Sequence, residues 1–217
     1  MNFTRVALTS AAAALLVPAA AHAATLETDL PCYLTGQSMG VRGTGWGPGT
    51  GWSVRADGIF AQGTADPTGT WVDTSQVKAP AIDAGTTKPT TVTLTAQQDG
   101  TDVASTTFQV VNFAVKPKDD SGKPTGKTKW SFSGFEPGKT VYIHVTRKGR
   151  TYTQRVGTAK SPCGTLSKRL RRLPAVPSTK IGYGRYKVAV DTNKAYQKSD
   201  GSFNQYTATI TIRKKYL

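Results

Sequence analysis

Histidine, cysteine and acidic side chains are all scarce in this 217-residue chain: two His, two Cys and 13 Asp plus Glu, against 28 Lys plus Arg. Each shortage removes a class of chemistry. Beyond residue 23 a single His remains, His144, so a His-based nucleophile relay or a His/Cys zinc site lacks its parts. The acids Asp119 and Asp120 lie among Lys116, Lys118 and Lys123, too few ligands for a calcium loop. The glycine-rich run 43–51 has no Gly-Lys-Ser/Thr and reads as a turn entering a strand rather than a phosphate loop. Cys163 has Lys160 and Lys168 nearby to lower a thiol pKa, but no second His to act as base. The sequence therefore assigns no catalytic residue, no metal and no cofactor, and it describes a protein that is not an enzyme. A disguised wall-active enzyme or accessory module would need Asp191, Glu136 or His144 to line a deep pocket. His144 falls on the outward parity of its strand and is expected at the surface.

Long apolar runs are confined to the start. Arg5, the run Val6–Ala20 and Ala21-His22-Ala23 have the charge, length and small-x-small ending of a secretory signal peptide over residues 1–23. The run is shorter than the roughly 20 residues a membrane-spanning helix needs, and no later segment approaches that length. The expectation is a secreted or cell-surface protein with no transmembrane segment in its mature chain. In an oxidising compartment Cys32 and Cys163 can persist as a disulfide. Such a bridge would contribute about 4–5 kcal/mol in the loop-entropy description; two free thiols are the alternative.

One repeat organises the rest. Gly45-Trp46-Gly47-Pro48-Gly49 followed by Trp52-Ser53-Val54 returns as Gly134-Phe135-Glu136-Pro137-Gly138 followed by Val141-Tyr142-Ile143. Gly63–Thr70 returns as Gly157–Thr165. The offset grows from 89 to 95 residues, as a longer hairpin in the second copy would cause. Within each copy, short Thr/Val/Ile/Tyr-rich segments alternate apolar with polar and are punctuated by Gly, Pro, Asp and Asn. Val141, Ile143 and Val145 alternate in this way, and Lys148-Gly149 suits a two-residue hairpin turn. The fold class expected is all-β: two antiparallel immunoglobulin-like β-sandwiches in tandem, over 24–112 and 113–217. Thr106–Val111 reads as the last strand of the first copy and Asn112–Lys116 as the first of the second. Lys116–Lys129, with Gly122, Pro124 and Gly126, reads as a solvated loop.

The Gly-Trp/Phe-x-Pro-Gly turn leading into an apolar strand resembles the Ig-like modules, including IPT-type ones, of secreted and surface-attached bacterial proteins. Trp130–Gly138 and Pro162-Cys163-Gly164 are similar to a module of exported actinobacterial proteins. The resemblance implies a sandwich and an exported life, and it carries no catalytic residues.

Charge separates the copies. Residues 24–113 hold 4 Lys plus Arg against 8 acids, whereas residues 114–217 hold 23 against 5. Candidate polyanion-binding residues are Arg147, Lys148 and Arg150 at one hairpin, Lys168, Arg169, Arg171 and Arg172 in the densest basic run, and Arg185 and Lys187. Tyr183, Tyr196, Phe203 and Tyr216 are interleaved among the second copy's cations. Arg147 and Arg150 should face each other across the hairpin, an unfavourable like-charge pair. The conformation of the 168–172 run stays open, because its leucines fit neither strand alternation nor a helix. The expected partner is an anionic envelope polymer, acidic polysaccharide or anionic lipid surface, bound with salt-sensitive affinity. Specific nucleic-acid binding is not expected, since no motif for it is present. Protein–protein adhesion or scaffolding is the alternative, and it requires an exposed apolar patch.

Overall fold

The computed structural model describes residues 23–74, 76–119, 121–201 and 204–213. The leader expected at 1–23 therefore lies almost wholly outside the described residues, as do Asp120, Phe203, Lys214, Lys215 and Tyr216.

The described chain is built from strands. The first copy contains β1 (Thr25–Thr28), β2 (Cys32–Leu34), β3 (Val41–Thr44), β4 (Gly51–Ala56), β5 (Ile59–Thr64), β6 (Trp71–Asp73), β7 (Thr90–Gln98) and β8 (Thr101–Val111). The second contains β9 (Ala114–Pro117), β10 (Lys127–Ser133), β11 (Thr140–Arg147), β12 (Arg150–Thr158), β13 (Leu166–Arg171), β14 (Gly184–Asp191) and β15 (Tyr206–Ile212), with one 3₁₀ turn at Ser178–Lys180. Four sheets result, ordered β1-β3-β6, β2-β8-β7-β4-β5, β9-β10-β13 and β12-β11-β14-β15. All pairings are antiparallel except β2 with β8. Replacing β1, β3, β6 by β9, β10, β13, and β8-β7-β4-β5 by β15-β14-β11-β12, maps one copy on the other. Among the described residues β2 alone has no counterpart.

The repeat is visible hydrogen bond by hydrogen bond. Trp46 N donates to Gly69 O and Phe135 N to Gly164 O; Gly49 N donates to Ala65 O and Gly138 N to Ala159 O; Ala65 N donates to Thr50 O and Ala159 N to Lys139 O. Glycine is required where this turn docks. Gly69 and Gly164 have φ of +72° and +59°, and a Cβ on them would lie 2.1 and 1.5 Å from the carbonyl oxygens of Trp46 and Phe135.

Strand alternation generates two separate cores. One gathers Leu26, Tyr33, Val54, Leu94, Phe108, Trp46, Trp52 and Trp71, with Trp52 stacked on Trp71 at 4.1 Å. The other gathers Trp130, Phe132, Val141, Ile143, Val145, Tyr186, Val188 and Val190. The expected turn at Lys148-Gly149 is present, with φ of +46° and +75°. A disulfide joins Cys32 in β2 to Cys163 in the turn before β13, with Cα atoms 5.3 Å apart and a sequence separation of 131. Tyr33, beside Cys32, anchors β2: its hydroxyl donates to Asp29 and accepts from Leu30 N–H at 2.8 Å. Burial and the Asp29 bond push its pKa up to about 12.

Two expectations need correction. The stretch 116–129 is not one loop, because β9 runs to Pro117 and β10 begins at Lys127; pairing of Lys127 and Lys129 with β13 overrides the local Gly/Pro signal. The first strand of the second copy begins at Ala114 rather than Asn112. Asn112 instead uses its side chain, accepting from Thr35 Oγ1 and donating to Asp83 O.

Candidate polyanion face

The basic run whose conformation was open is an edge strand. β13 pairs with β10 so that Lys127 faces Arg171 and Lys129 faces Arg169. On the other side of β10, Ser131 pairs with Lys116, and Lys118 N donates to Lys129 O at 2.7 Å. Thr128, Trp130 and Phe132 of β10 point into the core, so Lys127 and Lys129 point outward by alternation. The outer face of this three-stranded sheet thus carries Lys116, Lys118, Lys127, Lys129, Arg169 and Arg171. All are exposed except Arg171, which is half-buried. None joins any of the ion pairs found among the described residues. Neighbouring strands stand about 4.8 Å apart and alternate residues about 6.8 Å apart, so the cations form a flat grid.

Reasoning from the basic runs alone missed Lys116, Lys118, Lys127 and Lys129. Their period-2 spacing at 127 and 129 opposite 169 and 171 was the available signal.

The other candidates do not join this face. Lys168 opposes Trp130 in register and is exposed at the edge of the sheet. Arg172 turns under the 121–126 segment, its N–H donating to Gly126 O at 2.8 Å; its Nε is buried without a hydrogen-bond partner among the described residues. Arg185 and Lys187 lie on β14 and Lys148 and Arg150 at the β11–β12 turn, all exposed and all belonging to the opposite sheet. Arg147 does face Arg150 in register. Its guanidinium nevertheless turns away, donating to Tyr183 O at 2.8 Å and lying 4.9 Å over the Tyr186 ring. Arg147 is a packing cation more than a free one.

His144 is not at the surface. Its side chain is completely buried although its outward parity is as expected, because residues 193–196 fold over that face of the sheet, with Asn193 O at 3.1 Å and the Tyr196 ring at 5.6 Å. Nε2 faces two acceptors, Asn193 O at 3.1 Å and Asp191 Oδ1 at 3.3 Å, and so carries a proton. Nδ1 meets Thr153 Oγ1 at 2.9 Å. Asp191 also accepts from Asn193 N–H and Gln205 Nε2, each at 2.8 Å. Burial raises its pKa, but the bonds from His144, Gln205 and Asn193 outweigh that and hold it below the usual carboxylate value. The cluster ties both ends of the covering segment to the sheet. With His144 and Asp191 enclosed, and Glu136 exposed and paired with Lys139 at 3.6 Å, these three side chains do not converge on a pocket. Among the described residues no group of three His, Cys, Asp or Glu gathers to hold a metal, and no helix is long and apolar enough to cross a membrane.

No protein-family model matches the sequence, and no curated protein matches it. Solved structures similar in part include a tetra-tandem repeat from the extending region of a large adhesion protein, at 15% identity and TM-score 0.29, covering 88% of this chain and 49% of that one. A 1.5-MDa bacterial ice-binding adhesin aligns at 16% identity and TM-score 0.32, over 86% of this chain and 62% of that one. The Yersinia pseudotuberculosis adhesin InvE aligns at 10% identity and TM-score 0.32, over 87% and 58%. This chain spans about half of the first and about three fifths of the other two. At such scores these likenesses carry no functional inference, which rests on this chain's own surfaces.

Proposed function

We propose that this chain is a non-enzymatic, exported, two-module β-sandwich protein that associates with an anionic envelope or extracellular polymer through the outer face of β9-β10-β13. The observation that carries the reading is the registered pairing of like charges, Lys127 with Arg171 and Lys129 with Arg169. Each such pair destabilises a sheet by about 0.2–1 kcal/mol. Exposed lysines often protect sheet edges from aggregation, but β10 is the central strand of its sheet, so edge protection does not account for Lys127 and Lys129. A bound polyanion removes the repulsion and releases counterions, which makes its affinity salt-dependent. A broad grid of cations bordered by open, shallow clefts of about 390 and 400 Å³ suits an extended polymer better than a small anion. The disulfide fits an oxidising compartment. The test is retention of the purified mature protein on a dextran sulfate matrix over a salt gradient, and on anionic vesicles to separate polymer from lipid. Absence of retention at low salt, or retention indifferent to salt, defeats the reading.

A further inference from the structure

In the first copy β2 runs parallel to the edge of β8, with Gln109 N donating to Pro31 O and Thr35 N to Val111 O. It closes the side of the sandwich between β1 and β8, and Tyr33 enters the core edge-on to Phe108 at 5.5 Å. In the second copy the chain after β9 enters the 118–126 segment instead, and among the described residues nothing pairs with the outer edge of β15. The matching side of that sandwich is a cleft of about 490 Å³, with Val115, Trp130, Val188 and Ile210 among its lining residues. The strand registers make Phe108 and Ile210 equivalent, because Val54 and Ile143, then Ala96 and Val190, occupy matching places. Phe108 is buried; Ile210 is left half-buried.

The edge itself is unprotected. The other edge strands of this copy carry Lys116 and Pro117 in β9, Arg150 and Arg155 in β12, and Lys168 and Arg169 in β13. β15 reads Tyr-Thr-Ala-Thr-Ile-Thr-Ile, with no charge, proline or glycine. A long, uncharged, β-branched edge is a template for strand addition. Arg172 and Arg213 stand at the cleft with Asp119 as the one acid among its described lining residues, and Arg172 Nε has no partner among the described residues.

We propose that the β15 edge and this cleft form a β-augmentation site for an extended segment of a second protein, running parallel to β15 as β2 runs to β8. Main-chain bonds to β15 supply affinity. A large apolar or aromatic side chain of the segment covers Ile210, and an acidic side chain meets the Arg172 guanidinium. This surface is separate from the cationic grid, so the two readings fail independently.

By equivalence with Gln109, the N–H of Thr211 points away from β14 toward the added strand. Thr211→Pro removes that donor and leaves the β14 ladder intact. The probe is a synthetic peptide of residues 28–35 with Cys32→Ser, titrated into the full mature chain and followed by amide chemical shifts. Saturable shifts confined to β15 and Arg172, at least tenfold weaker binding by Thr211→Pro at an unchanged melting temperature, and weakening by Arg172→Gln or by Asp29→Asn in the peptide are expected. Absence of saturable shifts, or equal binding by folded Thr211→Pro, overturns the proposal. Self-association of the chain that Thr211→Pro abolishes would make the occupant a second copy and overturn it equally.

Discussion

Lys129 of β10 and Arg169 of β13 stand directly opposite each other on the outer face of a three-stranded sheet, and neither takes part in an ion pair among the described residues. The second copy keeps this repulsion although the matching three-stranded sheet of the first copy, β1-β3-β6, folds with few cations. Replacing both by glutamine is expected to raise stability by about 0.2–1 kcal/mol, read as an increase in the denaturation midpoint at low salt that shrinks at high salt. A loss of stability would show that these side chains serve the fold.

The disulfide is expected to leave no reactive thiol in denatured, unreduced protein. Its reduction should lower the stability of the pair of modules by up to about 4–5 kcal/mol, seen in thermal melts with and without reductant, while each core keeps its strands.

Asp191 gives the second copy an acid-sensitive clasp. Its folded pKa lies below its unfolded value, so its contribution is complete above the unfolded value near ~3.9 and is lost as pH falls through the lower, folded one. Asp191→Asn should destabilise by about 1–3 kcal/mol at neutral pH, with the gap to wild type closing in melts taken at strongly acidic pH. Amide exchange at Asn193 should accelerate in the variant, since its N–H bonds to this carboxylate.

Gly164→Ala should destabilise by about 2 kcal/mol or more, because it adds left-handed strain to a clash with Phe135 O. Gly58→Ala, with φ of +71° and open space around its Cβ position, should cost only about 1 kcal/mol. Denaturant titrations of the two variants separate the effects.

The turns and strands were legible because their signals are local. Gly45 and Gly134 adopt φ of +77° in both copies, and Val141, Ile143 and Val145 point inward as their alternation requires. What escaped depended on tertiary covering. No pattern around His144 reveals that Asn193 and Tyr196 lie over it. The start of β10 was hidden by Gly122, Pro124 and Gly126 immediately before it, and with it Lys127 and Lys129 of the cationic face. The parallel strand β2 is three residues long, too short to read by periodicity, so its lack of an equivalent in the second copy was invisible too. The grouping of Arg147, Lys148 and Arg150 with the 168–172 run came from charge alone, and sheet topology divides them between opposite faces.

The most direct measurement compares two sets of three neutralisations in the purified protein on a dextran sulfate column: Lys127, Lys129 and Arg169 to glutamine, against Lys148, Arg150 and Arg155 to glutamine. Both sets remove the same charge. The account predicts that the first set elutes at clearly lower salt, with a shallower dependence of affinity on salt, while the second stays near wild type. Equal shifts for the two sets, or a larger shift for the second, would contradict a binding face on β9-β10-β13.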